Sequence, residues 1–321
     1  MSEAVGAALE ISNLSKSYPT GFLHRQLRPA LQGLNLSVQS GEIFGYLGPN
    51  GSGKTTTLKI LMGVVFPDTG TASVLGLPHT DLRWRKRAGY LPEHPYFYDY
   101  LTPVEYLDYV GRLFEMGTLL RKDRAKMLLE LVGLSRSKDV PLRRFSKGMV
   151  QRLGIAQALV NDPALVLLDE PMSGLDPIGR RSVRNLIRQL KTEGKTVFFS
   201  THILPDAEAL CDRVAVLRGG RLLDVGTLDS ILNLGVSHVE IVTSGFPASG
   251  VGGLGASVRS HEWAGDLLRL DVDEGSVDQV LGVLLGGGGR IVAVQRVRQS
   301  LEDYFFREMG SGPAGERAWD D

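Results

Sequence analysis

Cysteine is almost missing from this chain: among 321 residues there is one, Cys211. A single thiol can close no internal disulfide and build no cysteine-based zinc site, which points to a reducing compartment. A surplus of either charge is also lacking, with 36 basic and 36 acidic residues and a formal net charge of zero. Neutralising a phosphate backbone needs a basic excess, so no nucleic-acid partner is expected. No apolar run approaches the ~18–20 residues that cross a bilayer. The opening stretch MSEAVGAALEISNLSKSY lacks the basic and apolar regions of a signal peptide. Hydrophobic residues at 43% and charged residues at 22% exclude disorder as the dominant state. The expectation is a soluble, cytoplasmic, globular protein.

Glycine is the one surplus, at 39 residues, of which 12 lie between Gly245 and Gly289. This shift sets a boundary near Leu234, and a prior of ~150 residues per domain also favours two domains. In front of it, strands are predicted at Leu9 to Leu14 and Leu31 to Val38, separated by a basic, Pro-bearing loop, Gly21 to Pro29. Further strands are expected at Glu42 to Leu47, Ala164 to Leu168, Val197 to Ser200 and Val214 to Leu217. Helical spacing marks Thr57 to Met62, Leu101 to Val132 and Arg181 to Lys191. Strand–helix alternation of this kind implies an α/β domain. Behind the boundary come strands His238 to Thr243, Leu267 to Val272 and Arg290 to Val297, with helices Val277 to Leu285 and Leu301 to Met309. Gly286 to Gly289 reads as a turn.

Gly48-Pro49-Asn50-Gly51-Ser52-Gly53-Lys54-Thr55 fits G-x-x-x-x-G-K-[ST], following a strand and opening a helix that continues through Thr56. Small residues let backbone N–H groups close around a phosphate, and the helix start adds positive character. Lys54 offers a point charge to the β- and γ-phosphates, and the Thr55 hydroxyl is a magnesium ligand. The apolar strand Leu165 to Leu168 ends in Asp169 and Glu170. Neighbouring strand residues face opposite ways, so the two acids are expected to differ in role. Asp169 suits magnesium held through water, and Glu170 suits orienting or deprotonating the attacking water.

Phe145-Ser146-Lys147-Gly148-Met149-Val150-Gln151-Arg152 precedes a helical run, Leu153 to Val160, with Ser146 as a good N-cap, and on its own marks a helix start. Placed 23 residues before Asp169, it resembles the signature sequence of ABC ATPases. Ser173-Gly174-Leu175-Asp176-Pro177 resembles their D-loop, and His202 in Ser200-Thr201-His202 their switch histidine. The resemblance covers residues 9 to 234. It implies a P-loop NTPase cassette with a mixed sheet core, an antiparallel β subdomain and a helical subdomain at about 93–160. The cassette would span 1–236, followed by a small α/β C-terminal domain at 237–309 and a polar tail at 310–321.

The resemblance further implies a magnesium-dependent ATPase whose two cassettes face each other, ATP on one phosphate loop being closed by the partner's Ser146 and Gly148. The second cassette is another copy of this chain or a related one. Tyr18 stands where the family stacks an aromatic ring on adenine, the lesser alternative being a tyrosine on a strand surface. Asp176 joins the nucleotide-contacting set, and His202 would contact the γ-phosphate and the water. Two departures stand out. Glu93, in Gly89-Tyr90-Leu91-Pro92-Glu93, replaces a common glutamine and can still ligate magnesium; Lys147 and Met149 replace the usual glycine and glutamine. Both are similar to the branch serving multidrug, antibiotic and ion exporters with separately encoded permeases. That implies a multi-span membrane permease as partner and a peripheral place on the cytoplasmic face.

Eight of the 23 aromatic residues fall between Tyr90 and Phe114. They suit either the helical subdomain's core or the groove that receives a permease's cytoplasmic helix. The rival classes have less support. DNA-acting family members insert long heptad segments, whereas Lys54 and Asp169 lie 115 residues apart without them. Ribosome-acting members usually carry two cassettes and a basic linker. A GTPase is disfavoured because no asparagine is followed by lysine.

Overall fold

The computed structural model describes residues 6–20, 26–232, 236–298 and 300–310. It divides into two compact units between Leu228 and Asp229, a few residues ahead of the composition shift. Of the predicted tail, Gly310 closes a helix and the rest lies outside the described residues.

The first unit holds two sheets among its described residues. One is antiparallel, in the order β2-β1-β4-β5, from β1 (Ala7–Thr20), β2 (Gln26–Gln39), β4 (Thr69–Val74) and β5 (Leu77–Pro78). The two long strands differ from the expected pair with a loop at Gly21 to Pro29. They stay paired out to Thr20 and Gln26, and residues 21–25 lie outside the described ones. Pro29 is tolerated because β2 is a sheet edge, where a missing N–H costs no ladder bond.

The second sheet runs β10-β9-β3-β8-β7-β6, from β3 (Ile43–Leu47), β6 (Ala88–Leu91), β7 (Leu165–Asp169), β8 (Thr196–Thr201), β9 (Arg213–Arg218) and β10 (Arg221–Thr227). Every pairing is parallel except that of the edge strand β10. Every residue of β3, β7 and β8 is buried, as apolar strands covered on both faces should be. Register aligns Leu47 with Thr201 and Asp169 with Ser200, so these three strands end side by side. Ligands of open α/β sheets bind outside such carboxyl ends.

Helices α1 (Lys54–Leu61), α5 (Pro177–Thr192) and α6 (Leu204–Leu210) belong to this core, and α7 (Leu228–Ile231) is a single turn. The helical pattern from Leu101 to Val132 resolves into two helices, α2 (Pro103–Leu113) and α3 (Thr118–Leu131). The break falls where Glu115 takes φ 57, a left-handed conformation that no helix interior accommodates. Thr102 and Glu105 form a capping box at the start of α2. With α4 (Lys147–Ala158) these helices enclose Phe97, Tyr106, Leu128 and Leu153. Phe97 and Tyr106 meet edge to face at 4.7 Å, whereas Tyr96, Tyr98, Tyr100 and Tyr109 are exposed. The aromatic cluster is therefore part core and part surface.

In the second unit an antiparallel sheet runs β12-β13-β11-β14, from β11 (Val236–Ser244), β12 (Val258–Ala264), β13 (Leu267–Val272) and β14 (Arg290–Arg298). Val280 and Leu284 of α8 (Val277–Gly286) pack on Val239, Ile241, Leu268, Leu270 and Val272. Gly286 belongs to this helix rather than to the turn expected there. The chain then enters α9 (Leu301–Gly310).

Candidate nucleotide site

The loop between β3 and α1 requires glycine where it enters the helix. Gly53 caps α1 at φ 109, and a Cβ there would sit 2.5 Å from the carbonyl oxygen of Ala30. Only glycine takes that conformation in that space. The next residue, Lys54, is buried, and its Nζ donates to the carbonyls of Gly48 at 2.7 Å and Pro49 at 3.2 Å. Thr57 donates to the Gly53 carbonyl at 3.1 Å and meets the Tyr46 hydroxyl at 2.9 Å, fixing the first turn of α1.

A cleft of about 430 Å³ opens over this loop. Asn50, Gly51, Ser52, Gly53, Lys54, Thr55 and Thr56 line it, joined by Tyr18, Arg28, Glu93 and Glu170. Tyr18 lies opposite Arg28 in the β1–β2 ladder, with the Lys16 ammonium 5.7 Å from its ring.

Asp169 ends β7 fully buried. Its Oδ1 accepts from the Ser200 hydroxyl at 2.5 Å, and its Oδ2 has no hydrogen-bond partner. Burial pushes this carboxyl above its ordinary value; the hydroxyls of Ser200 and Thr55 pull it back, and the charges of Glu93 and Glu170 push it up again. A buried acid with an orphaned oxygen and acidic neighbours fits a divalent cation. Among the described residues no group of three His, Cys, Asp or Glu side chains could hold a metal alone. Magnesium does not need one, because substrate phosphates and water complete its shell.

Glu170 sits at φ 49, a conformation uncommon outside glycine. Its N–H donates to the Ser200 hydroxyl at 3.0 Å, and its carbonyl accepts from Gln151 Nε2 at 3.3 Å. The carboxylate reaches two cations or donors. Oε2 accepts from His202 Nδ1 at 3.0 Å, and Oε1 lies 3.5 Å from Lys54 Nζ. An ionised carboxylate only accepts, so the proton of that imidazole resides on Nδ1. Lys54 and Glu170 thus form a buried ion pair over the phosphate loop.

Three further candidates stand elsewhere. Ser146, two residues before Gly148, caps α4, accepting from Met149 N at 3.3 Å. Asp176 caps α5, accepting from Gly179 N at 2.6 Å. None of the three lines the cleft. Ser200 and Gln151 were not singled out as site residues by the sequence. The parallel register of β7 with β8 is the signal that would have placed Ser200 beside Asp169.

Comparisons with known proteins agree with one another. A family model described as ABC transporter matches residues 31–173. An uncharacterised ABC transporter ATP-binding protein of Synechocystis sp. is 45% identical, over 94% of this chain and 84% of that one. A Nod factor export ATP-binding protein I of Burkholderia lata is 37% identical, over 87% of this chain and 92% of that one. Among solved structures, an ATP-binding subunit of an ABC transporter aligns with a TM-score of 0.62 and 32% identity, over 70% of this chain and 92% of that one. An ATP-binding cassette solved as a dimer, in a post-hydrolysis state bound to ADP and Pi, aligns with a TM-score of 0.63 and 27% identity. That alignment covers 68% of this chain and 98% of that one.

Proposed function

Because this chain belongs to the ABC transporter family as an ATP-binding, ATP-hydrolysing subunit, we propose that it drives an exporter through a separate multi-span permease. The observation that carries the reading is the buried Glu170 carboxylate, suspended over the phosphate loop between Lys54 and His202. In this reading Lys54 leaves its loop carbonyls and Glu170 for the β- and γ-phosphates of ATP. Glu170 is thereby released to take a proton from the attacking water, while His202 Nδ1 keeps its second oxygen oriented. Thr55, Asp169 and Glu93 are the residues that would hold Mg2+, which supplies charge neutralisation on the phosphates when bound. Tyr18 would stack on the adenine.

Ser146, Gly148 and Asp176 are assigned to the nucleotide of a facing cassette, either a second copy of this chain or a related one. The dimeric state of the similar solved cassette supports this. The exposed Tyr96, Tyr98, Tyr100 and Tyr109 supply aromatic anchors of the kind favoured at interfaces, here for the permease. Among the described residues no helix is long and apolar enough to cross a membrane, so the permease would hold the chain at the cytoplasmic face. Export as the direction rests on the similarity to Nod factor export proteins.

Glu170→Gln tests the reading. ATP binding should persist, hydrolysis should fall ~10²–10⁴-fold, and size-exclusion chromatography with ATP and magnesium should show a dimer that ADP returns to monomer. Turnover near the wild-type rate would place the base elsewhere. An inactive variant that stays monomeric with ATP would refute the shared site.

A further inference from the structure

The backbone of Glu170 is held from two sides by side chains of other elements. Its left-handed φ of 49 is unfavourable for a residue with a Cβ, so the surroundings must impose it. From β8, Ser200 accepts the Glu170 N–H at 3.0 Å and spends its own proton on Asp169. From α4, Gln151 donates Nε2 to the carbonyls of Glu170 at 3.3 Å and Pro171 at 3.2 Å. Gln151 is 4% exposed, and the two carbonyls that accept from its amide both belong to this one turn.

We propose that Gln151 is a positioning residue for hydrolysis, fixing the direction of the Glu170 carboxylate by holding the carbonyl side of its strained peptide. The proposal rests on the reading of Glu170 as the base and adds a structural consequence. Gln151 lies on the second turn of α4, the helix capped by Ser146. The helix end assigned to the facing cassette's nucleotide and the clamp on this chain's own glutamate are therefore one rigid element. A shift of α4 upon contact with that nucleotide moves the Gln151 amide relative to the carbonyls of Glu170 and Pro171. Each site's base then registers whether the opposite site is filled.

The chemistry selects the test. Gln151→Met keeps the length and removes the donor. Gln151→Leu removes the polar end altogether. Misplacing a catalytic group by about 1 Å can cost ~10²-fold, so both variants should lose turnover by tens of times or more. The ATP concentration at half-maximal rate should stay within about twofold, because no phosphate-loop residue is altered. With hydrolysis slowed and binding intact, both variants should accumulate as ATP-bound dimers in size-exclusion chromatography. A residue that merely packs α4 on the core would lower the melting temperature without trapping that dimer.

Turnover per folded molecule within twofold of wild type would overturn the proposal. So would loss of turnover and of ATP affinity together, with no dimer. Glu170→Gln run alongside separates the two claims. If it still hydrolyses ATP, the base reading fails; if it traps the dimer while the Gln151 variants turn over normally, the positioning role alone fails.

Discussion

The two units place their polar groups in opposite ways. In the first, Ser52, Lys54, Gln151, Asp169, Glu170, Ser200 and Asp206 are buried, and Ser52, Asp169, Glu170 and Asp206 each keep an oxygen without a hydrogen-bond partner. In the second, Thr243 is the one buried polar residue among those described, and it donates to the Arg290 carbonyl. The charges there pair at the surface, as in Arg259 with Asp273 and Arg269 with Glu240. Buried oxygens without a hydrogen bond are costly, and native folds carry few of them without a reason. Ser52 lies in the phosphate loop and Glu170 beside Lys54, with Asp169 next to it at the end of β7, and these three mark where the protein accepts instability for chemistry; Asp206 sits apart on α6, beside Arg184. The second unit has the ordinary makeup of a small fold, an apolar core under a solvated charge surface.

Emptying the second unit's core gives the largest effect with which to break this contrast. Leu270→Ala removes a fully buried side chain and should destabilise that unit by about 2–5 kcal/mol. Calorimetry should show the loss, while ATP affinity at the first unit stays unchanged. A parallel loss of affinity would mean that the second unit contributes to the site. At the small end, Arg259→Met breaks a pair whose side chains are each about half exposed, at 51% and 48%. Exposed pairs are worth ~0–1 kcal/mol, so its urea midpoint should barely move. A larger shift would show that charge in the second unit is structural after all.

Both the fold and the site were legible where a local pattern dictates them. The apolar runs of β3, β7 and β13 announce themselves, and the phosphate loop reads directly from its spacing. Polar strands did not. The arms of β1 and β2 beyond Tyr18 and Arg28 carry no apolar alternation, and pairing across the hairpin alone makes them strand. The edge strand β12, Val-Arg-Ser-His-Glu-Trp-Ala, is almost wholly exposed and shows no hydrophobic face. In the site, Lys54, Asp169 and Glu170 follow from residue types at fixed spacing. The left-handed turn at Glu170 and its clamp by Ser200 and Gln151 do not, because main-chain hydrogen bonds from distant side chains leave no local trace.

The central claim is that the cleft over residues 48–56 binds nucleotide phosphate through Lys54. Isothermal titration of Lys54→Ala with ATP and magnesium tests it most directly. Removing a charged hydrogen-bonding partner costs ~1.5–3 kcal/mol, which is roughly a 10- to 100-fold weaker affinity. The account predicts that loss with the far-ultraviolet circular dichroism of the fold retained. ATP affinity equal to that of the wild type would contradict it.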